Sequence, residues 1–146
     1  MIGGISFKEV VMTDVVVVAE NGKGRYQQGV TIGQHHLLAD EPVDVGGADA
    51  GPAPFDFVMA GLGACTSMTL RMYAERREFP LTHVSVSLSY EKITVDGIAR
   101  DHIQRTITLE GELTNEQRQR LLEIANKCPV HRALSQSLLI DSAIAT

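Results

Sequence analysis

Two thiols are the candidates for nucleophilic or redox chemistry in this chain: Cys65 in GLGACTSMT and Cys128 in ANKCPVHR. With 62 residues between them and no CxxC or HExxH, they lack the spacing of a metal site. Among five histidines only His35 and His36 cluster, and neighbours in a strand project to opposite faces, so a shared metal is not expected. A cysteine reacts as its thiolate, which needs a nearby cation or a helix dipole. Arg25, Arg71 and Arg132 are the cations on offer, although Arg71 follows Cys65 by six residues and points largely away from it on a helix. The alternative for each thiol is a small buried hydrophobe. His131 admits two readings as well, a base that activates a cysteine or a helix-start residue that satisfies local backbone groups.

The elements that must position these residues are legible in the periodicity. KEVVMTDVVVVAE, from Lys8 to Glu20, is a Val-rich strand followed by an Asn21-Gly22 turn signal. Arg25 to Ile32 alternates loosely, Gly33 turns again, and His35 to Ala39 makes a third short strand of an antiparallel meander. A loop from Asp44 to Pro54 follows. Phe55, Val58, Met59, Leu62, Cys65, Thr69, Met72 and Tyr73 then recur every three or four residues, which predicts a helix from about Ala53 to Arg77. Pro54 suits its first turn, and Pro80 lies past its end. Gly61 and Gly63 inside it each cost about 1 kcal/mol relative to alanine. A close approach is therefore expected at the middle of this helix, with deep burial there or a second subunit against it.

Thr82 to Val95 alternates, with Val84, Val86 and Leu88 on one face and His83, Ser85, Ser87 and Ser89 on the other. Asp96-Gly97 is a hairpin turn, and His102 to Leu113 returns with Ile103, Ile107 and Leu109. Thr114 in TNEQ caps a helix that ends near Lys127, before Pro129. A short helix from His131 to Ser137 and a last strand from Leu138 to Ala145 complete an α+β order.

At 146 residues, with 44% apolar and 21% charged types, the chain reads as a single globular domain over residues 1–146. Thirteen Lys and Arg against 18 Asp and Glu leave a net charge of −5. Without clustered cations, neither nucleic acid nor an anionic membrane surface is an expected partner. The longest apolar run, Val15 to Ala19, is far short of a membrane span, and Lys8 and Glu9 interrupt any secretory signal. A cytoplasmic location is expected, where two cysteines are thiols rather than permanent staples.

DEPVDVGGADAGPAPFDFVMAGLGACTSMTLRMYAERREFPL, followed much later by LLEIANKCPVHRAL, resembles the OsmC and Ohr family of thiol peroxidases. The order of GG, GPxP, LGxCTxMT and CPVHR is similar to a branch of small OsmC-like proteins. That resemblance implies an α+β fold of antiparallel sheets with a long central helix, in an intertwined homodimer whose active sites lie at the subunit interface. It implies that Cys65 is the peroxidatic thiolate, oxidised to a sulfenic acid, and that Cys128 resolves it as a disulfide. It also implies an external dithiol reductant, with lipoyl groups used in the Ohr branch, and no metal or organic cofactor.

The family further uses an Arg from the N-terminal strands, for which Arg25 is the positional match, and a Glu near the start of the long helix. Phe55 stands at the place of that Glu. Asp56, one residue later, either substitutes for it or merely favours the helix N-terminus through the dipole. Phe55, Val58, Met59 and Leu62 offer an apolar lining for an organic hydroperoxide, since each buried methylene is worth roughly 0.8 kcal/mol. The expected function is thus a cysteine-based organic hydroperoxide peroxidase. A non-catalytic dimer that binds a small molecule or senses redox state is the alternative, and acyl transfer through Cys and His131 has little support.

Overall fold

A computed structural model describes residues 15–145. Lys8 to Asp14 of the first expected strand lie outside the described residues. The chain divides into two compact units, Met1–Pro54 and Phe55–Thr146.

In the first unit, β1 (Val16–Glu20), β2 (Gln28–Ile32) and β3 (His35–Ala39) form an antiparallel sheet in sequence order. The register runs from Val16 opposite Ile32 to Ile32 opposite His35. Arg25 does not belong to β2, as the alternation had implied. The Asn21 side chain accepts the Lys23 N–H at 3.0 Å, a side-chain turn that opens the β1–β2 connection into a seven-residue bend over 21–27. After β3 the chain winds round Asp40, which is 3% exposed. One carboxylate oxygen accepts the Glu41 N–H at 2.8 Å, and the other accepts those of Ala48 and Ala50 at 3.1 Å each. The Ala50 N–H most of all holds the Asp40 carboxyl below its usual range, against the opposing effect of burial. The loop is therefore tied down by one ionised side chain.

The second unit opens at the second residue of α1 (Pro54–Arg76), which is 23 residues long and within one residue at each end of the span read from periodicity. Leu62, Thr66, Leu70 and Ala74, four residues apart, form its buried stripe. β4 (His83–Val95) and β5 (Ile98–Glu110) pair along their whole length around Asp96-Gly97. Both turn residues have positive φ, 51° and 77°, the twist a two-residue hairpin requires. Val84, Val86 and Leu88 face inward as their alternation predicts, and Leu88 Cδ1 would lie 2.8 Å from a Cβ on Gly63. The close approach expected at the two glycines is real at Gly63. At Gly61 it is not: this residue is exposed, and nothing beyond its chain neighbours and the adjoining helix backbone lies within 4 Å of where its Cβ would be.

Thr114 starts α2 (Asn115–Ala125) with a full capping box, its hydroxyl accepting the Gln117 N–H and the Gln117 side chain accepting its own N–H. Leu70 of α1 meets Leu121, Ile124 and Ala125 of α2 in the core, with Val84, Ile107 and Leu109 of the hairpin packed against them. α3 (Pro129–Leu134) begins and ends earlier than the expected His131 to Ser137, because Cys128 itself is the N-cap. Residues 138–145 form no strand. A strand needs an edge to pair with, and none of the described residues pairs with this segment. Leu139 and Ile144 are each 95% exposed.

Candidate functional site

Cys128 lies at the join of α2 and α3, fully buried, with its sulfur accepting the His131 N–H at 3.4 Å. Pro129 at the first position of α3 has no N–H to satisfy, and the sulfur serves the His131 N–H at the third position. From there the sulfur reaches α1, where it lies 3.9 Å from the Thr66 hydroxyl. Thr66 directly follows Cys65. The fold thus carries the second thiol across the sequence to the residue beside the first, and both cysteines are unpaired. Cys65 is half-buried, whereas Cys128 has no exposed surface.

The cation at this cluster is Arg105, a residue the sequence reading passed over. Its guanidinium donates at 3.0 Å to the Thr66 hydroxyl and at 3.3 Å to the Ala125 carbonyl through one nitrogen. The other nitrogen donates at 2.9 Å to the Asn126 side-chain oxygen. One side chain on β5 thereby clasps α1 and the end of α2 beside Cys128. The signal for it was available: Ile103, Arg105, Ile107 and Leu109 share one face of the strand, so Arg105 is a charge at an inward position. The Thr66 hydroxyl gives its own proton to the Leu62 carbonyl at 2.7 Å.

The cations weighed from sequence make these contacts within their own units. Arg71 donates at 2.7 Å to the Leu81 carbonyl, and Arg25, in the first unit, lies over the Tyr26 ring at 5.0 Å. Arg132 is exposed on α3, its backbone N–H bonded to the Cys128 carbonyl. His131 touches the thiol through its backbone N–H rather than as a base. Its ring is held below the usual histidine range by burial first and by the Arg105 charge second, which favours the neutral imidazole.

Asp56 is exposed in the first turn of α1. Phe55 stacks on Tyr90 of β4, the ring centroids 4.3 Å apart and the planes 12° from parallel. Of the expected apolar lining, Leu62 is buried, Met59 half-buried, and Phe55 and Val58 partly exposed at 47% and 37%. Among the described residues no three His, Cys, Asp or Glu side chains gather to hold a metal, and no helix is long and apolar enough to cross a membrane.

The sequence model of a family described as OsmC-like protein matches residues 46–142. No curated protein matches the sequence. Among solved structures, an OsmC-like protein from Mycoplasma pneumoniae superposes with a TM-score of 0.72 at 15% identity, over 86% of this chain and 89% of that one. An organic hydroperoxide resistance protein OsmC from Legionella pneumophila gives 0.66 at 20% identity, over 86% and 91%. An organic hydroperoxide resistance protein from Elizabethkingia anophelis gives 0.65 at 19%, over 86% and 89%. At such identities these three are similar in fold.

Proposed function

The chain belongs to the OsmC-like family, and from that premise we propose that it is a cysteine-based peroxidase that reduces organic hydroperoxides. The Cys65 thiolate attacks the O–O bond, releases the alcohol and becomes a sulfenic acid. Cys128 then attacks the sulfenic sulfur, water leaves, and a disulfide joins the two. An external dithiol, a lipoyl group in the Ohr pattern, returns both thiols by exchange. No metal or organic cofactor enters these steps. The observation that carries the reading is the delivery of Cys128 to Thr66, the residue next to Cys65, although 62 residues separate the two cysteines.

In this reading Arg25 stabilises the Cys65 thiolate and Asp56 orients Arg25, while Phe55, Val58, Met59 and Leu62 receive the alkyl group. The active form is a homodimer in the cytoplasm, where a dithiol pool can reduce it. Support for the dimer comes from α1, whose Gly61, Ala64, Met68 and Met72 form an exposed face of small and apolar side chains. Residues 138–145, mostly apolar and paired with none of the described residues, suit a strand on a second copy.

Stoichiometric cumene hydroperoxide, compared with hydrogen peroxide, tests the activity on the reduced protein by thiol count and intact mass. Rapid loss of two thiols to an intramolecular disulfide is expected, with a trapped sulfenic acid in Cys128→Ser and no fast reaction in Cys65→Ser. Slow, unselective oxidation would refute the peroxidase. It would favour the second reading, a dimer that binds a small molecule or senses redox state, to which the complete burial of Cys128 also lends weight.

A further inference from the structure

The Thr66 hydroxyl has one proton, and its short bond to the Leu62 carbonyl uses it. Its two lone pairs remain. One accepts from Arg105 at 3.0 Å, and the other faces the Cys128 sulfur at 3.9 Å. Hydrogen-bond accounting then assigns the direction of the last contact: the Cys128 S–H donates to Thr66, while the sulfur accepts from the His131 N–H. The reduced thiol is thus satisfied on both sides within a fully buried site, and its proton is directed at a hydroxyl that a guanidinium holds in place.

We propose that Arg105 and Thr66 are the positioning pair of Cys128, which aims this thiol and exchanges a hydrogen bond with it as it condenses with the oxidised Cys65. The inference rests on the peroxidase reading above and concerns only its second step. In that step the Cys128 sulfur gives up its proton and forms the S–S bond, the Cys65 S–OH bond breaks, and the departing hydroxide leaves with that proton as water. The sulfur then no longer carries the proton it had directed at Thr66. The hydroxyl answers by rotating from the Leu62 carbonyl to donate to the sulfur, and it keeps the Arg105 N–H as donor to its oxygen throughout. Arg105 cannot turn with it, because its fork is also held by the Ala125 carbonyl and the Asn126 side chain. The pair is therefore a fixed cation carrying a rotatable hydroxyl. Arg105 acts through Thr66 and is not itself a catalytic residue.

Thr66→Val keeps the shape of the side chain and removes the hydroxyl, and Thr66→Ser restores it. The reduced full chain is mixed rapidly with cumene hydroperoxide, and Cys65 sulfenic acid is trapped by dimedone at successive times, so that its formation and its conversion to disulfide are timed separately. In Thr66→Val, formation is expected to keep its rate while conversion slows about tenfold, the scale of one hydrogen bond lost from a transition state. Thr66→Ser is expected to recover most of the conversion rate. Arg105→Gln, which leaves Thr66 in place, provides the same measurement should the valine variant fail to fold, and slow conversion with normal formation is expected there too. Conversion at the wild-type rate in a folded Thr66→Val or Arg105→Gln chain would overturn the proposal while leaving the peroxidase intact. Equal slowing in Thr66→Ser and Thr66→Val would also overturn it, by assigning the effect to packing. Absence of both sulfenic acid and disulfide in the wild-type chain would instead refute the peroxidase reading on which it rests.

Discussion

A sulfur atom caps α3 where oxygen is usual, and in the proposed reaction the choice matters because the cap also serves as a thiol. Serine there would satisfy the His131 N–H as well or better, yet could form no disulfide. The neighbouring imidazole responds to the same surroundings. Burial, then the Arg105 charge, lowers its folded value below 6.5, so the unfolded chain takes up this proton first as pH falls. The contribution of His131 is therefore complete above the unfolded value of 6.5 and is lost progressively as pH drops through it towards the lowered folded value. Thermal melts of the wild type and His131→Gln at pH values from about 5 to 8 check this. The wild type is expected to lose stability below 6.5 more steeply than the variant, and parallel profiles would contradict the assignment.

At the scale of elements, α2 is the strut that brings Cys128 to α1, and its start depends on Thr114. The capping box satisfies two donors that would otherwise lack partners at the first turn. Thr114→Ala is expected to lower stability by about 1 kcal/mol, measured as a shift in the urea midpoint with an unchanged slope. The hairpin and α2 were both readable in the sequence, because alternation and capping are local signals. The final strand was misread for a related reason: Leu138 to Ala145 carries strand-like composition, but local preference does not supply an edge to pair with. Arg25 was placed in a strand that the Asn21 side-chain turn delays to Gln28.

For the whole molecule, the decisive feature is the face of α1 opposite its buried stripe. Met68 and Met72 are 60% and 59% exposed, beside Gly61 and Ala64, with no charged residue among these four positions. Water-exposed apolar surface of this kind is suited to a partner, and the proposed partner is a second copy. Met68→Lys with Met72→Lys is expected to convert the dimer to monomer in sedimentation or light scattering, while the circular dichroism of the chain is retained. A dimer unaffected by two charges on this face would move the interface elsewhere. The two lysines leave both thiols in place, so the peroxide reaction of the resulting monomer also reads whether a second copy is needed for chemistry.

The sequence by itself determined the α+β order, the extent of the long helix, the capped α2 and the two thiols, because each follows from spacing between residues close in the chain. The motif blocks around those thiols also carried the family, which the match over residues 46–142 establishes. Only the tertiary structure decided that Cys128 meets Thr66 and that Arg105 is the cation beside them. Those contacts join residues 62 and 39 positions apart, and no local periodicity encodes which side chains meet once a hairpin and two helices have packed. It also decided that Gly63 admits Leu88 while Gly61 faces open space, since a small residue permits a close approach without specifying what comes near.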